Sequence, residues 1–230
     1  MADYERLSKV DFVNNARYYT ANTGRDDCWG SHRLKNFNYV QMLSINSEGD
    51  VPLSQASCLD VGCGTGDLSF LLNSIGIKSY LGVDIFRNHL DVARHKYPRE
   101  QFLLADILTG SINGKFDYVF CSGALTGVSH ADNYDYIGAM ITKMWELSRV
   151  GVAFNVLTPD EDGIYSEGAF LRTFLYDPQK VLSICQQVTG AQRILYFQDN
   201  LEDQAHFHIL RRGSQLPSSP KWKLFQSELS

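Results

Sequence analysis

No C-x-x-C pair occurs in the chain, and Cys28, Cys58, Cys63, Cys121 and Cys185 are odd in number, with several inside apolar, strand-like segments. A disulfide framework and a zinc site are therefore both disfavoured, and no metal is expected. No apolar run is long enough to cross a bilayer, and Asp3 to Arg6 are polar where a secretory leader would be apolar. The expected location is cytoplasmic, without membrane association. Compact Lys/Arg blocks are absent too. With 21 Lys and Arg against 26 Asp and Glu, the formal charge is −5, which works against a nucleic-acid partner and favours a small molecule. Nothing in the composition indicates an oligomeric state.

What is present is an ordinary globular composition, 44% hydrophobic and 20% charged over 230 residues, enough for one substantial core. The organisation expected is a single domain over residues 1–212: a helical N-terminal cover (1–50), a ligand-binding core (56–157), a candidate lid (158–176) and then a loose tail (213–230). In the cover, Ser31 can cap a helix with the stripe Leu34, Phe37, Val40 and Leu43.

From Ser57 onward, strand and helix patterns alternate. Ser57 to Val61, Tyr80 to Val83, Phe102 to Ala105, Phe116 to Phe120 and Val150 to Leu157 read as strands. Between them run the helical stripes Leu68–Leu71–Leu72–Ile75, Phe86–Leu90–Ala93–Tyr97 and Ile137–Met140–Ile141–Met144–Leu147. Asp177-Pro178 starts a further helix, and Ile194 to Phe197 with His206 to Leu210 close the domain as strands, joined by a hairpin across Asp199 to Asp203. Such alternation means an α/β fold, a mostly parallel Rossmann-like sheet covered by helices on both faces.

The sharpest motif is Asp60-Val61-Gly62-Cys63-Gly64-Thr65-Gly66, lying after a strand and before a helix. Its glycines permit a tight turn and close backbone approach to a ligand. A dinucleotide fingerprint is spaced G-x-G-x-x-G and presents a helix N-terminus to a pyrophosphate. Here the spacing is G-x-G-x-G behind an acid, and an anionic Asp60 repels pyrophosphate but favours a nearby ammonium. Asp84 closes the second strand about 20 residues on, where a carboxylate can accept from both ribose hydroxyls or cap the next helix.

The motif DVGCGTG resembles the first motif, (D/E)-x-G-x-G-x-G, of the class I S-adenosylmethionine-dependent methyltransferases, and Ser57 to Leu157 follow that family's pattern. The resemblance implies a seven-stranded sheet with the last inserted strand antiparallel, and S-adenosylmethionine as cofactor. It assigns the cofactor to Asp60, Gly62, Cys63, Gly64, Gly66, Asp84, Ile85, Phe86 and Ser122. It adds Asp106 for the adenine amino group, Ile107 for the ring, and Arg33 for the methionine carboxylate. Phe86 stacks on adenine or packs its own helix. The function implied is methyl transfer to an oxygen, nitrogen or carbon of a small molecule, carried mainly by proximity and orientation, without a metal.

After the fourth strand stands Cys121-Ser122-Gly123-Ala124-Leu125, not the (N/D)-P-P-(Y/F) of nucleobase amino methylases. His130 is a candidate base or a cap residue of the next helix, and Tyr18, Trp29, Asn155 and Phe170 are candidate acceptor contacts or packing. His206 and His208 share one strand face, a pattern that fits edge-strand packing better than a metal pair. Two competing readings stand beside this one. A nicotinamide-dependent oxidoreductase is opposed by the glycine spacing, and a non-catalytic partner protein by the intact acids Asp60, Asp84 and Asp106.

Overall fold

The computed structural model describes residues 32–127, 132–159, 174–191, 193–199, 204–212 and 223–225. Eight strands make one sheet: β1 (Ser57–Val61), β2 (Ser79–Asp84), β3 (Gln101–Leu104), β4 (Phe116–Cys121), β5 (Ser148–Leu157), β6 (Arg193–Asp199), β7 (Gln204–Leu210) and β8 (Lys223–Phe225). Their spatial order is β3-β2-β1-β4-β5-β7-β6-β8. The first five are parallel, and β7 enters antiparallel between β5 and β6. The seven strands expected are all present. Beyond them Lys223–Phe225, assigned to a loose tail, pairs antiparallel along β6. The turn between β6 and β7 lies outside the described residues.

Period-two alternation assigns the two faces of the sheet. On β4, Val119 and Cys121 enter one core, which is covered by α4 (Asn133–Leu147) and α5 (Pro178–Thr189). Tyr118 and Phe120 enter the other, where α1 (His32–Leu43) and α2 (Asp67–Ile75) pack. A further helix, α3 (Arg87–Lys96), buries Leu90 and Ala93. Local chemistry sets the ends. Gly76 ends α2 in the left-handed region (φ 80°), and Asp177 accepts the Gln179 N–H at the start of α5, with Pro178 behind it. No helix among the described residues is long and apolar enough to cross a membrane.

Helix α1 is rotated from the face its apolar spacing predicts: Phe37 and Leu43 pack inward, but Val40 does not. Val40 is 61% exposed, whereas Lys35, Asn38, Tyr39 and Met42 are buried. The phase is set by polar partners: the Lys35 ammonium donates to Asp67 at 2.8 Å, and Asn38 meets Asn155 at 3.3 Å. An apolar periodicity does not register such partners. Ser31 lies outside the described residues.

The proposed aromatic lid is corrected at its C-terminal end. Tyr176 is fully buried, its hydroxyl donating to Leu125 O at 3.0 Å, and its backbone N–H bonds Leu157 O at 2.9 Å. The Phe174 N–H bonds Thr126 O at 2.8 Å, so this end of the segment is anchored in the core. The phenol's need for a buried partner explains the placement. Residues 160–173, with Tyr165 and Phe170, lie outside the described residues.

A second correction concerns His206 and His208. Strand β7 is internal, so both imidazoles are fully buried beneath α1. His208 Nε2 lies 3.1 Å from Gln41 O, and the His206 ring meets Phe37 edge-on at 5.9 Å. Burial pushes both imidazoles down to about 3. An unfolded imidazole takes its proton near 6.5, so the unfolded chain binds more protons as pH falls from there, and stability falls with it. His206→Phe is therefore expected to lose less stability than the wild type between pH 6.5 and 4, read as a shallower fall in Tm. Identical slopes would mean that His206 is not held neutral by the fold.

Candidate functional site

The chain runs from β1 out to β2 and β3, then returns to β4 on the other side of β1. This strand reversal opens a crevice at the carboxyl ends of β1 and β4, the usual ligand position in such sheets. The glycine turn lines it. Gly62, Gly64 and Gly66 have φ of 68°, 53° and 80°, and Gly62 and Cys63 both donate to Val83 O, at 2.8 and 3.0 Å. The three glycines are required for different reasons. A side chain on Gly62 would run into the Cβ of Ala124, and one on Gly66 into the Phe102 ring at 2.8 Å. At Gly64 an added Cβ would meet nothing within 4 Å, so its face of the turn opens onto free space.

Asp84 is 6% exposed and clamps this turn, accepting the Gly64 N–H on Oδ2 and the Phe86 N–H on Oδ1, both at 2.8 Å. Of the two roles expected for Asp84, capping the next helix is corrected: the helix begins at Arg87 with Phe86 at its N-cap and no side-chain cap, and Asp84 instead holds the glycine turn, a role local spacing does not show. Asp60 is 3% exposed and accepts the Tyr80 hydroxyl at 2.8 Å. Strand register puts Tyr80 opposite Cys58 and Gly82 opposite Asp60, so the phenol reaches along the strand over a glycine. A Cβ at Gly82 would stand 2.8 Å from that hydroxyl.

Burial pushes the Asp60 carboxyl up to about 7, against the lowering effect of the Tyr80 hydrogen bond, with the Asp84 and Asp67 charges adding to the rise. The ionised Asp60 expected from sequence is thus close to half-protonated at neutral pH. A ligand cation beside it would restore the charge. In the ligand-free fold Asp60 keeps its proton longer than in the unfolded chain, so this group lowers stability as pH rises from about 4 to about 7.

The remaining candidates fall into three groups. Asp106 is half-buried and its Oδ1 accepts the Leu108 N–H at 2.8 Å, with Ile107 buried beside it at the end of β3. Ile85 is 38% exposed, Phe86 packs edge-on against His89 at 5.2 Å, and Cys63 is buried. Ser122 Oγ, just past β4, is buried without a hydrogen-bond partner. Asn155, expected at the acceptor, has its amide engaged by protein groups: Gly123 N–H donates to Oδ1 at 2.9 Å, and Nδ2 donates to Asn38 and Gln204. Tyr18, Trp29, His130 and Phe170 lie outside the described residues, as does the side chain of Arg33.

Sequence reasoning missed Tyr80, Lys35 and Asp67. Asp67, the first residue of α2, accepts from Lys35 at 2.8 Å, Lys96 at 2.6 Å and Tyr97 at 2.8 Å, fastening three helices beside the glycine turn. Tyr80 was within reach, because the register of β1 and β2 puts it on the same sheet face as Asp60, one strand over. Lys35 was not, since its partner is remote in the chain. Among the described residues, no group of three His, Cys, Asp or Glu side chains is set to hold a metal ion.

Comparison with known proteins matches residues 58–144 to a family model described as "Methyltransferase domain". A curated relative, "Putative methyltransferase 235L" of Invertebrate iridescent virus 6, is 29% identical over 101 residues, 41% of this chain. That match spans 38% of the relative's length. The fold is similar to that of magnesium protoporphyrin IX methyltransferase from Synechocystis PCC 6803 with bound SAH, with a TM-score of 0.64 and 17% identity, covering 90% of this chain and 100% of that one. It is also similar to N-methyltransferase NodS from Bradyrhizobium japonicum WM9 in complex with S-adenosyl-l-homocysteine, with a TM-score of 0.61 and 17% identity, covering 84% of this chain and 96% of that one.

Proposed function

On the premise that this chain carries a methyltransferase domain, at residues 58–144, on the class I methyltransferase fold, we propose that it transfers a methyl group from S-adenosylmethionine to a small molecule. The observation that carries this reading is the clamped glycine turn, open at Gly64 and flanked by the buried acids Asp60 and Asp84. The residues fit the cofactor's chemistry. Asp84 retains lone pairs for the ribose hydroxyls, Asp60 favours the ammonium, Asp106 and Ile107 take the adenine, and the partnerless Ser122 hydroxyl awaits a polar ligand atom. When bound, the cofactor supplies an activated methyl on a sulfonium.

The chain's own part is to orient and to exclude water, so that the acceptor's nucleophilic atom lies in line with that methyl. The proposal needs no metal. A small-molecule acceptor agrees with the acidic balance of the chain and with the porphyrin substrate in one relative's name. Incubation with methyl-labelled S-adenosylmethionine and a small-molecule extract should label a low-mass product. Label found only in added RNA or protein would overturn the acceptor class.

Asp60 makes the cofactor step sensitive to pH. Because its carboxyl ionises near neutral pH and a cation favours the ionised form, affinity for S-adenosylhomocysteine should rise several-fold, roughly 3- to 10-fold, from pH 6 to 7.5. Asp60→Asn should flatten that profile. A wild-type profile already flat would separate Asp60 from the ammonium.

A further inference from the structure

The turn after β4 forms the wall of the crevice opposite the glycine motif, and a single buried amide holds it. Gly123 sits there with φ of 70°, between the partnerless Ser122 hydroxyl and Ala124, whose Cβ occupies the space that a side chain on Gly62 would need. The two turns thus touch, and the place of one fixes the place of the other. Gly123 N–H donates to Asn155 Oδ1 at 2.9 Å. On its other side Asn155 donates to Asn38 of α1 at 3.3 Å and to Gln204 of β7 at 2.5 Å. Both N–H donors of this amide, 1% exposed at the residue level, are therefore used on three separate elements together with its oxygen.

We infer that Asn155 is a positioning residue for the cofactor crevice: its carbonyl oxygen sets the Gly123 backbone, and through it the Ser122 hydroxyl and the fit of Ala124 against Gly62, while its amide nitrogen ties that wall to α1. Asparagine suits the position because it offers an acceptor to one side and two donors to the other. A hydrophobic residue would take the acceptor from the buried Gly123 N–H and remove the hydrogen bonds to Asn38 and Gln204. The inference rests on the cofactor reading for its functional consequence, and on the geometry alone for its structural one.

The test compares Asn155→Ala with Asn155→Asp by exchange of the Gly123 amide, S-adenosylhomocysteine affinity and Tm. Aspartate keeps the oxygen that receives the Gly123 N–H but gives up both donors to Asn38 and Gln204 and buries a carboxyl, so it tests the oxygen's part apart from the nitrogen's, at a cost in Tm. Asn155→Ala should speed Gly123 exchange relative to the β1 and β4 amides, and weaken binding, each by about tenfold or more, the scale of one lost buried hydrogen bond. Asn155→Asp should keep Gly123 exchange, again relative to the β1 and β4 amides, within about threefold of wild type, because the receiving oxygen is retained. The inference is overturned if a folded Asn155→Ala changes neither, or if Gly123 exchanges as fast in a folded Asn155→Asp as in Asn155→Ala. If the wild type binds no S-adenosylhomocysteine, the cofactor reading falls, and Gly123 exchange in the two variants still decides the positioning role.

Discussion

Asp84→Ala is expected to weaken S-adenosylhomocysteine binding by about 1–3 kcal/mol, roughly 5- to 150-fold, the cost of hydrogen bonds made to a charged group. Two losses combine. The ribose hydroxyls lose their acceptor, and the Gly64 and Phe86 N–H groups, both 2.8 Å from the carboxylate, lose theirs. The protein should still fold, since a cost of about 1–3 kcal/mol is a fraction of a domain's usual stability. Asparagine is no gentle replacement here: its single oxygen can serve one of the two N–H groups, and its NH2 would face the other. Calorimetry on the folded Asp84→Ala variant checks this, and unchanged affinity would leave Asp84 with the turn-holding role alone.

The glycines separate binding from stability. Alanine at Gly64 or at Gly66 must adopt a left-handed backbone, with φ of 53° and 80°, at about 1–2 kcal/mol each. Gly66→Ala adds a clash with the Phe102 ring and close contact with Ala93 at 3.2 Å, a further cost of about 1–3 kcal/mol for overpacking. At Gly64 the added methyl enters free space, so the fold bears only the backbone cost. That space is where the cofactor would lie against the turn. Gly64→Ala should therefore lose tenfold or more in affinity, about 1.4 kcal/mol, with the smaller fall in Tm. Gly66→Ala should show the larger fall. The opposite ranking, or a Gly64→Ala protein that binds as wild type, would mean that the ligand does not pass over Gly64.

Strands and helices from Ser57 to Leu210 were legible because each carried its own period and its own stops, such as Gly76 and Asp177-Pro178. Asp60, Asp84 and the glycine turn were legible for the same reason: their place follows from local spacing at strand ends. Features made by remote partners were not. The inward face of α1 depends on Asp67 and Asn155, and Asn155 looked like an acceptor contact because the Gly123 turn that uses its oxygen lies on another strand's end. His206 and His208 were read as edge packing because their period-two spacing does not by itself place β7 between β5 and β6, although the family resemblance already implied an inserted last strand. Tyr176 was read with a lid because its segment lacks a period, yet one buried hydroxyl anchors it to Leu125.

On the proposed reading, an acid-backed G-x-G-x-G turn on this sheet selects a sulfur nucleoside that carries an ammonium over a pyrophosphate dinucleotide. Titration calorimetry of the full chain with S-adenosylhomocysteine and, separately, with NAD tests it most directly. Saturable one-to-one binding of S-adenosylhomocysteine and no heat of binding from NAD are expected. Tight NAD binding with no response to S-adenosylhomocysteine would contradict it.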